Sequence, residues 1–110
     1  MVLGIQSGFE VTTLDSLTAA GVTDSVETGG VNLLFQVSVS NIGTNVVIRF
    51  EGSLDNANFF NLDQDGLDTT IGASGTYGYA LSGCPVKYIR LRLVSLTGGT
   101  PTVDCKVGAA

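Results

Sequence analysis

A chain of 110 residues can bury one modest core but not two, so a single domain is expected and not a multidomain enzyme. With 15 glycines and no histidine, the composition favours turns and extended segments, and it removes Ser/His/Asp and Cys/His catalysis, imidazole zinc ligation and a histidine pH switch. Ten acidic residues against five basic ones leave a net charge of −5, which argues against a nucleic-acid partner, and no apolar run reaches the length of a membrane-spanning helix.

Along the chain, residues 1–8 read as an N-terminal arm that orders on contact, and residues 9–110 as one domain. Residues 1–11 carry no export signal, so synthesis in a host cytoplasm is expected. Strands are predicted at 8–14 and 22–28, with a single helical turn over 15–20. Residues 31–40 alternate cleanly: Leu33, Phe35, Val37 and Val39 point to one side, and Leu34, Gln36, Ser38 and Ser40 to the other. Residues 45–52 repeat the pattern, with Val46, Ile48 and Phe50 inward and Val47, Arg49 and Glu51 outward. With residues 41–44 as a loop, a hairpin follows in which Val39 meets Val46, Val37 meets Ile48 and Phe35 meets Phe50. Further strands fit 58–62, with Phe59 and Phe60 on opposite faces and one of them in the core, and 69–81, broken near 72–75.

For the closing segment, a two-residue turn at Gly98-Gly99 would set Leu93 against Asp104. A three-residue loop instead pairs Leu93 with Cys105 and Leu91 with Val107, leaving Arg90 and Arg92 on the wet face opposite Lys106 and Gly108. Cys105 therefore points inward, far from Cys84, and two free thiols are expected. Seven or eight short strands with Gly-rich turns define the expected class: all-β, a single-domain antiparallel β-sandwich or jelly roll.

Three groups of residues are candidates for function. Asn61, Asp63 and Asp65, followed by Gly66, match the opening of a calcium loop, but the twelfth position is Gly72 rather than Glu and no helices flank it. The simpler reading is a solvated turn. Lys87, Arg90, Arg92 and Lys106 concentrate base near the C-terminus, whereas residues 1–48 hold only acids; the simpler reading is an ordinary solvent face, and the functional one is a positive patch that docks on an acidic neighbour or on another copy. Tyr77, Tyr79 and Tyr88 offer a contact strip for a partner or a sugar, against the simpler reading of sheet-surface or core-rim residues. No serine or carboxylate has a suitable base nearby, so the chain is read as a non-enzyme with no cofactor.

The run Arg49-Phe50-Glu51-Gly52-Ser53-Leu54-Asp55-Asn56, followed by Asn58-Phe59-Phe60-Asn61-Leu62, resembles a phrase of small β-sandwich proteins from tailed-phage particles, with Asn56 in a usual glycine place and Phe59 in a usual tryptophan place. The segment from Tyr88 to Thr100 is similar to the C-terminal hairpin of the same proteins, and the turn also resembles those of discoidin-like and carbohydrate-binding sandwiches. The resemblance implies a virion structural protein of the head decoration or cement type. Such a protein is often a homotrimer on the outer surface of the major capsid protein shell, and it favours the expanded shell by mass action. A hydrophobic share of 44% is high for a monomer of this size and likewise points to self-association. The alternatives are a tail or baseplate subunit, or a receptor- or carbohydrate-binding module using Tyr77, Tyr79 and residues 63–68.

Overall fold

Two long strands organise the computed structural model, which describes residues 10–28, 31–63 and 65–110. They are β4 (Leu33–Ser53) and β8 (Tyr88–Ala109), of 21 and 22 residues, paired antiparallel from Leu33↔Ala109 to Ser53↔Tyr88. A straight strand of that length would reach about 70 Å. The molecule's longest dimension is 48 Å, so the ribbon must fold. It does so where the register slips between Ser40, Ile42 and Asn45, opposite the left-handed glycines Gly98 and Gly99 (φ 72° and 64°).

The fold creates two layers within one curled antiparallel sheet. The first half of β4 lies between β7 (Gly75–Leu81) and the second half of β8, which β1 (Glu10–Thr13) flanks. The second half of β4 lies between the first half of β8 and the short strands β5 (Phe60–Asn61) and β6 (Thr69–Ile71). On its far side, that part of β8 carries β2 (Gly21–Val22) and β3 (Val26–Glu27).

Burial follows the period of two that the sequence shows. Leu33, Phe35, Val37 and Val39 face inward from one layer and Val46, Ile48 and Phe50 from the other, with Ile89, Leu91, Leu93, Val103, Cys105 and Val107 completing the core. The ring centroids of Phe35 and Phe50 lie 4.4 Å apart, and Tyr79 packs at a tilt 5.2 Å from Phe50. Each such side chain contributes about 1.5–3 kcal/mol by leaving water.

The all-β antiparallel class holds, but both predicted hairpins are corrected. Val39 pairs with Val103 and Val46 with Leu96, not with each other, and Leu93 pairs with Ile48 rather than Cys105. Residues 41–44 and 98–100 are the two sides of one elbow, and Phe35 meets Phe50 across the core instead of along a ladder. Alternation specifies which side chains turn inward; an in-plane hairpin and a ribbon folded over on itself satisfy it equally.

Residues 15–20 form no helical turn. Leu17 bridges Val103, and Leu14 donates its N–H to the Cys105 carbonyl. The segment 22–28 splits into β2 and β3, and the break in 69–81 falls between β6 and β7. The predicted arm, residues 1–8, lies outside the described residues.

Candidate functional site

Arg49 and Glu51 alternate with buried Ile48 and Phe50 on β4, and Arg90 and Arg92 alternate with Ile89 and Leu91 on β8. The register Glu51↔Arg90 and Arg49↔Arg92 therefore gathers four charges on the outer face of the second layer. Arg90 Nε donates to Glu51 Oε1 at 2.7 Å, and Arg92 Nε to Oε2 at 2.8 Å. Arg49 Nη1 stands 3.8 Å from Oε2, while its Nε and Nη2 clasp Asp68 at 2.7 and 3.1 Å. The Phe59 ring centroid lies 3.8 Å from the Arg90 guanidinium carbon, so Phe59 is a cation–π platform, and with Phe60 exposed neither phenylalanine is the core residue that the alternation predicts.

Glu51 is only 4% exposed, which an unpaired carboxylate would not tolerate. Burial by itself raises its pKa, but the hydrogen bonds and charges of Arg92 and Arg90 outweigh that and hold it below the ordinary value. The Arg49 hydrogen bonds hold Asp68 low as well. Sequence reading placed Glu51 on a wet face and so missed its role; the signal available was acid and base at matching outward positions on two strands.

Beside this cluster, the Ser53-Leu54-Asp55-Asn56 turn closes on itself. Ser53 Oγ donates to Asp55 Oδ1 at 2.8 Å and accepts the Asn56 N–H at 3.0 Å. Asp55 also accepts the N–H groups of Asn58 and Ala57 and the Asn58 amide, which hold its carboxyl far below the usual range. Asn56 has φ 60°, the conformation for which glycine is usual at that place.

The predicted basic cluster is divided by the folded ribbon. Arg90 and Arg92 sit on the second layer with intrachain acidic partners, and Lys87 reaches Glu27 at 3.7 Å. Lys106 lies on the other layer, in register with Gln36 and Thr13. Among the described residues it forms no ion pair. Tyr77 and Tyr79 are half-buried on the inner side of β7. The Tyr77 hydroxyl donates to the Ala73 carbonyl at 2.6 Å, and burial raises the Tyr79 pKa.

The acidic loop is built as a turn. Asn61 Oδ1 accepts the Asp63 N–H and Asp63 Oδ1 accepts the Asp65 N–H, each at 2.8 Å, while the Asn61 amide nitrogen donates to the Leu67 carbonyl at 3.3 Å.

The outer face of the first layer is different in kind. Register sets Ala80, Leu34, Gly108 and Val11 in one row and Gly78, Gln36, Lys106 and Thr13 in the next. Leu34 is 49% exposed and Val11 62%. Apart from Lys106 and Asp104, which accepts a hydrogen bond from Ser16, these rows and the neighbouring Thr76 and Ser38 are uncharged. Such a face has the chemistry to pack on another protein surface. At one end of the molecule, Leu54, Phe60, Asn61, Asp63, Cys84 and Pro85 line a shallow groove.

No family model matches the chain, and no curated protein is significantly similar to it. Among solved structures it is similar to the SPBc2 prophage-derived protein YomS, with a TM-score of 0.63 and 18% identity over 99% of both chains. At that identity the likeness shows a shared fold.

Proposed function

We propose that the protein is a non-enzymatic structural subunit of a tailed-phage particle, and that it decorates and cements the capsid by docking on the outer surface of the major capsid protein shell. The observation that carries this reading is the weakly charged outer face of the first layer, on which Leu34 and Val11 stand exposed. A chain of like fold comes from a prophage, and the turn from Gly52 to Asn56 resembles one in phage-particle sandwiches. The mechanism is binding alone: a ligand of the expanded shell stabilises that state by mass action, and it bridges subunits that internal pressure would part.

Co-sedimentation with empty expanded capsids of the encoding phage tests this reading. Saturable retention is expected, and Leu34→Glu should weaken it at least tenfold. Failure of the wild-type chain to sediment with capsids overturns the reading. The groove beside Phe60, with Asn61 and Asp63 on its wall, combines an aromatic face with polar groups and favours a second reading, a tail or carbohydrate-binding module. Saturable binding on a glycan array would put that reading first.

A further inference from the structure

Every sheet that does not close has edges, and an unguarded edge recruits another strand. Most edges here are guarded. β5 and β6 are two and three residues long and separated by the loop bearing Asp63, Asp65 and Asp68. β2 and β3 are two residues each, with Asp24 between them and Glu27 at the end. β1 spans four described residues and begins on Glu10.

β7 is different. Its seven residues, Gly-Thr-Tyr-Gly-Tyr-Ala-Leu, contain no charge and no proline, and their register with β4 runs unbroken from Leu33↔Leu81 to Val39↔Gly75, without a bulge. Among the described residues β7 pairs with β4 alone, so alternate N–H and C=O groups along it point away from the sheet. Thr76, Gly78 and Ala80 are exposed, and the acidic loop approaches only the C-terminal end, near Ala80 and Ser82.

We propose that β7 pairs antiparallel with β7 of a second copy, across a two-fold axis at Gly78. The strand is self-complementary about that residue. Tyr77 faces the partner's Tyr79, Thr76 faces the partner's Ala80, and Gly78 meets its own counterpart, so no like charges oppose and no bulky side chain sits on the axis. The tyrosines are positioned before association, Tyr79 by Phe50 and Tyr77 by the Ala73 carbonyl, so pairing them costs little side-chain freedom. Antiparallel pairing also sets the two acidic loops at opposite ends of the joint, about 20 Å apart. Because β7 is the one long uncharged edge among the described residues and a two-fold pairing uses it up in both copies, the assembly closes as a pair instead of growing into a fibre. The result is an eight-stranded layer with twice the outer face of one copy. The inference rests on the edge and not on the capsid reading: a pair that ignores capsids removes only the latter.

Sedimentation velocity of the full chain across a concentration series, with two double variants, tests the proposal. Thr76→Lys with Ala80→Lys places lysines opposite each other and should raise the dissociation constant at least tenfold. Thr76→Lys with Ala80→Glu places Lys opposite Glu twice, replacing the repulsion with attraction, and should stay within about threefold of wild type. Both positions are exposed, and matching circular dichroism of the two variants verifies that each folds. Amide exchange in β7 should slow as wild-type concentration rises. A wild-type chain that stays monomeric or forms a closed trimer overturns the proposal, as do equal losses in the two variants or undiminished pairing in the lysine-lysine variant.

Discussion

Glu51 shows how one residue joins two strands through its side chain. Its carboxylate accepts from Arg90 and Arg92 while buried, so removing it leaves two neighbouring cations without their shared partner. Glu51→Ala should cost about 2 kcal/mol in a urea titration; the arginines keep partial access to water, which places the loss below that of a fully buried pair. A loss under about 0.5 kcal/mol would mean that the cluster is an ordinary exposed network. The pH dependence has a definite sign. The folded pKa lies below the ordinary value of 4.5, so the pair's stabilisation is fully present above that value and is lost as pH falls through the folded pKa. Between neutral pH and about pH 3, wild type should therefore lose more stability than Glu51→Gln. The cysteines differ from each other as sharply. Cys84 is half-buried at the groove, whereas Cys105 is buried and its thiol is pushed up to about 12 by desolvation. A thiol reagent should label Cys84 in the native protein and both residues in denaturant; rapid native labelling of Cys105 would contradict its place in the core.

Among the elements, the elbow of the ribbon is the most constrained. Ile42 pairs with Gly99, and a Cβ built on Gly43 would stand 2.2 Å from the Gly98 carbonyl carbon and 2.4 Å from the Gly99 nitrogen. Both obstacles are backbone and cannot rotate away. Gly43→Ala should therefore cost on the order of 3 kcal/mol by thermal or urea unfolding, where an alanine in an in-plane hairpin loop would cost far less. A near-neutral Gly43→Ala would restore the hairpin reading of residues 41–44. The loop from Asn61 to Asp68 is held by side-chain oxygens of Asn61 and Asp63 accepting its own N–H groups and by Arg49, so EDTA should leave the melting temperature unchanged. A fall in melting temperature on chelation that calcium reverses would make Asn61, Asp63 and Asp65 ligands.

Across the whole molecule, β4 and β8 each serve both layers, and their inward side chains share one core, so neither layer can come apart alone. Unfolding should be a single transition in which far-ultraviolet circular dichroism and tyrosine fluorescence coincide, Tyr79 reporting the core through Phe50. Separate midpoints for the two probes would show the layers unfolding independently. If copies pair through β7, the melting temperature also rises with protein concentration. The ladder joins residues as distant as Leu33 and Ala109, which places folding in the slow range of non-local β topologies.

The inward and outward sides of the long strands were legible in the amino-acid order. Phe35, Val37, Ile48, Phe50, Leu91, Leu93, Cys105 and Val107 are all buried where alternation put them, because side-chain parity in an extended chain is a local property. The all-β class followed from the same parity with glycine-rich breaks. Which strand each one pairs with was decided only in three dimensions. Residues 41–44 and 98–100 each carry the chemistry of a turn, and nothing local to either reveals that they bend side by side as one elbow, Ile42 against Gly99. Glu51 belongs to the second kind as well. Its outward parity is correct, yet it is buried because two arginines from β8 converge on it beside Phe59, and that convergence exists only once the ribbon has paired.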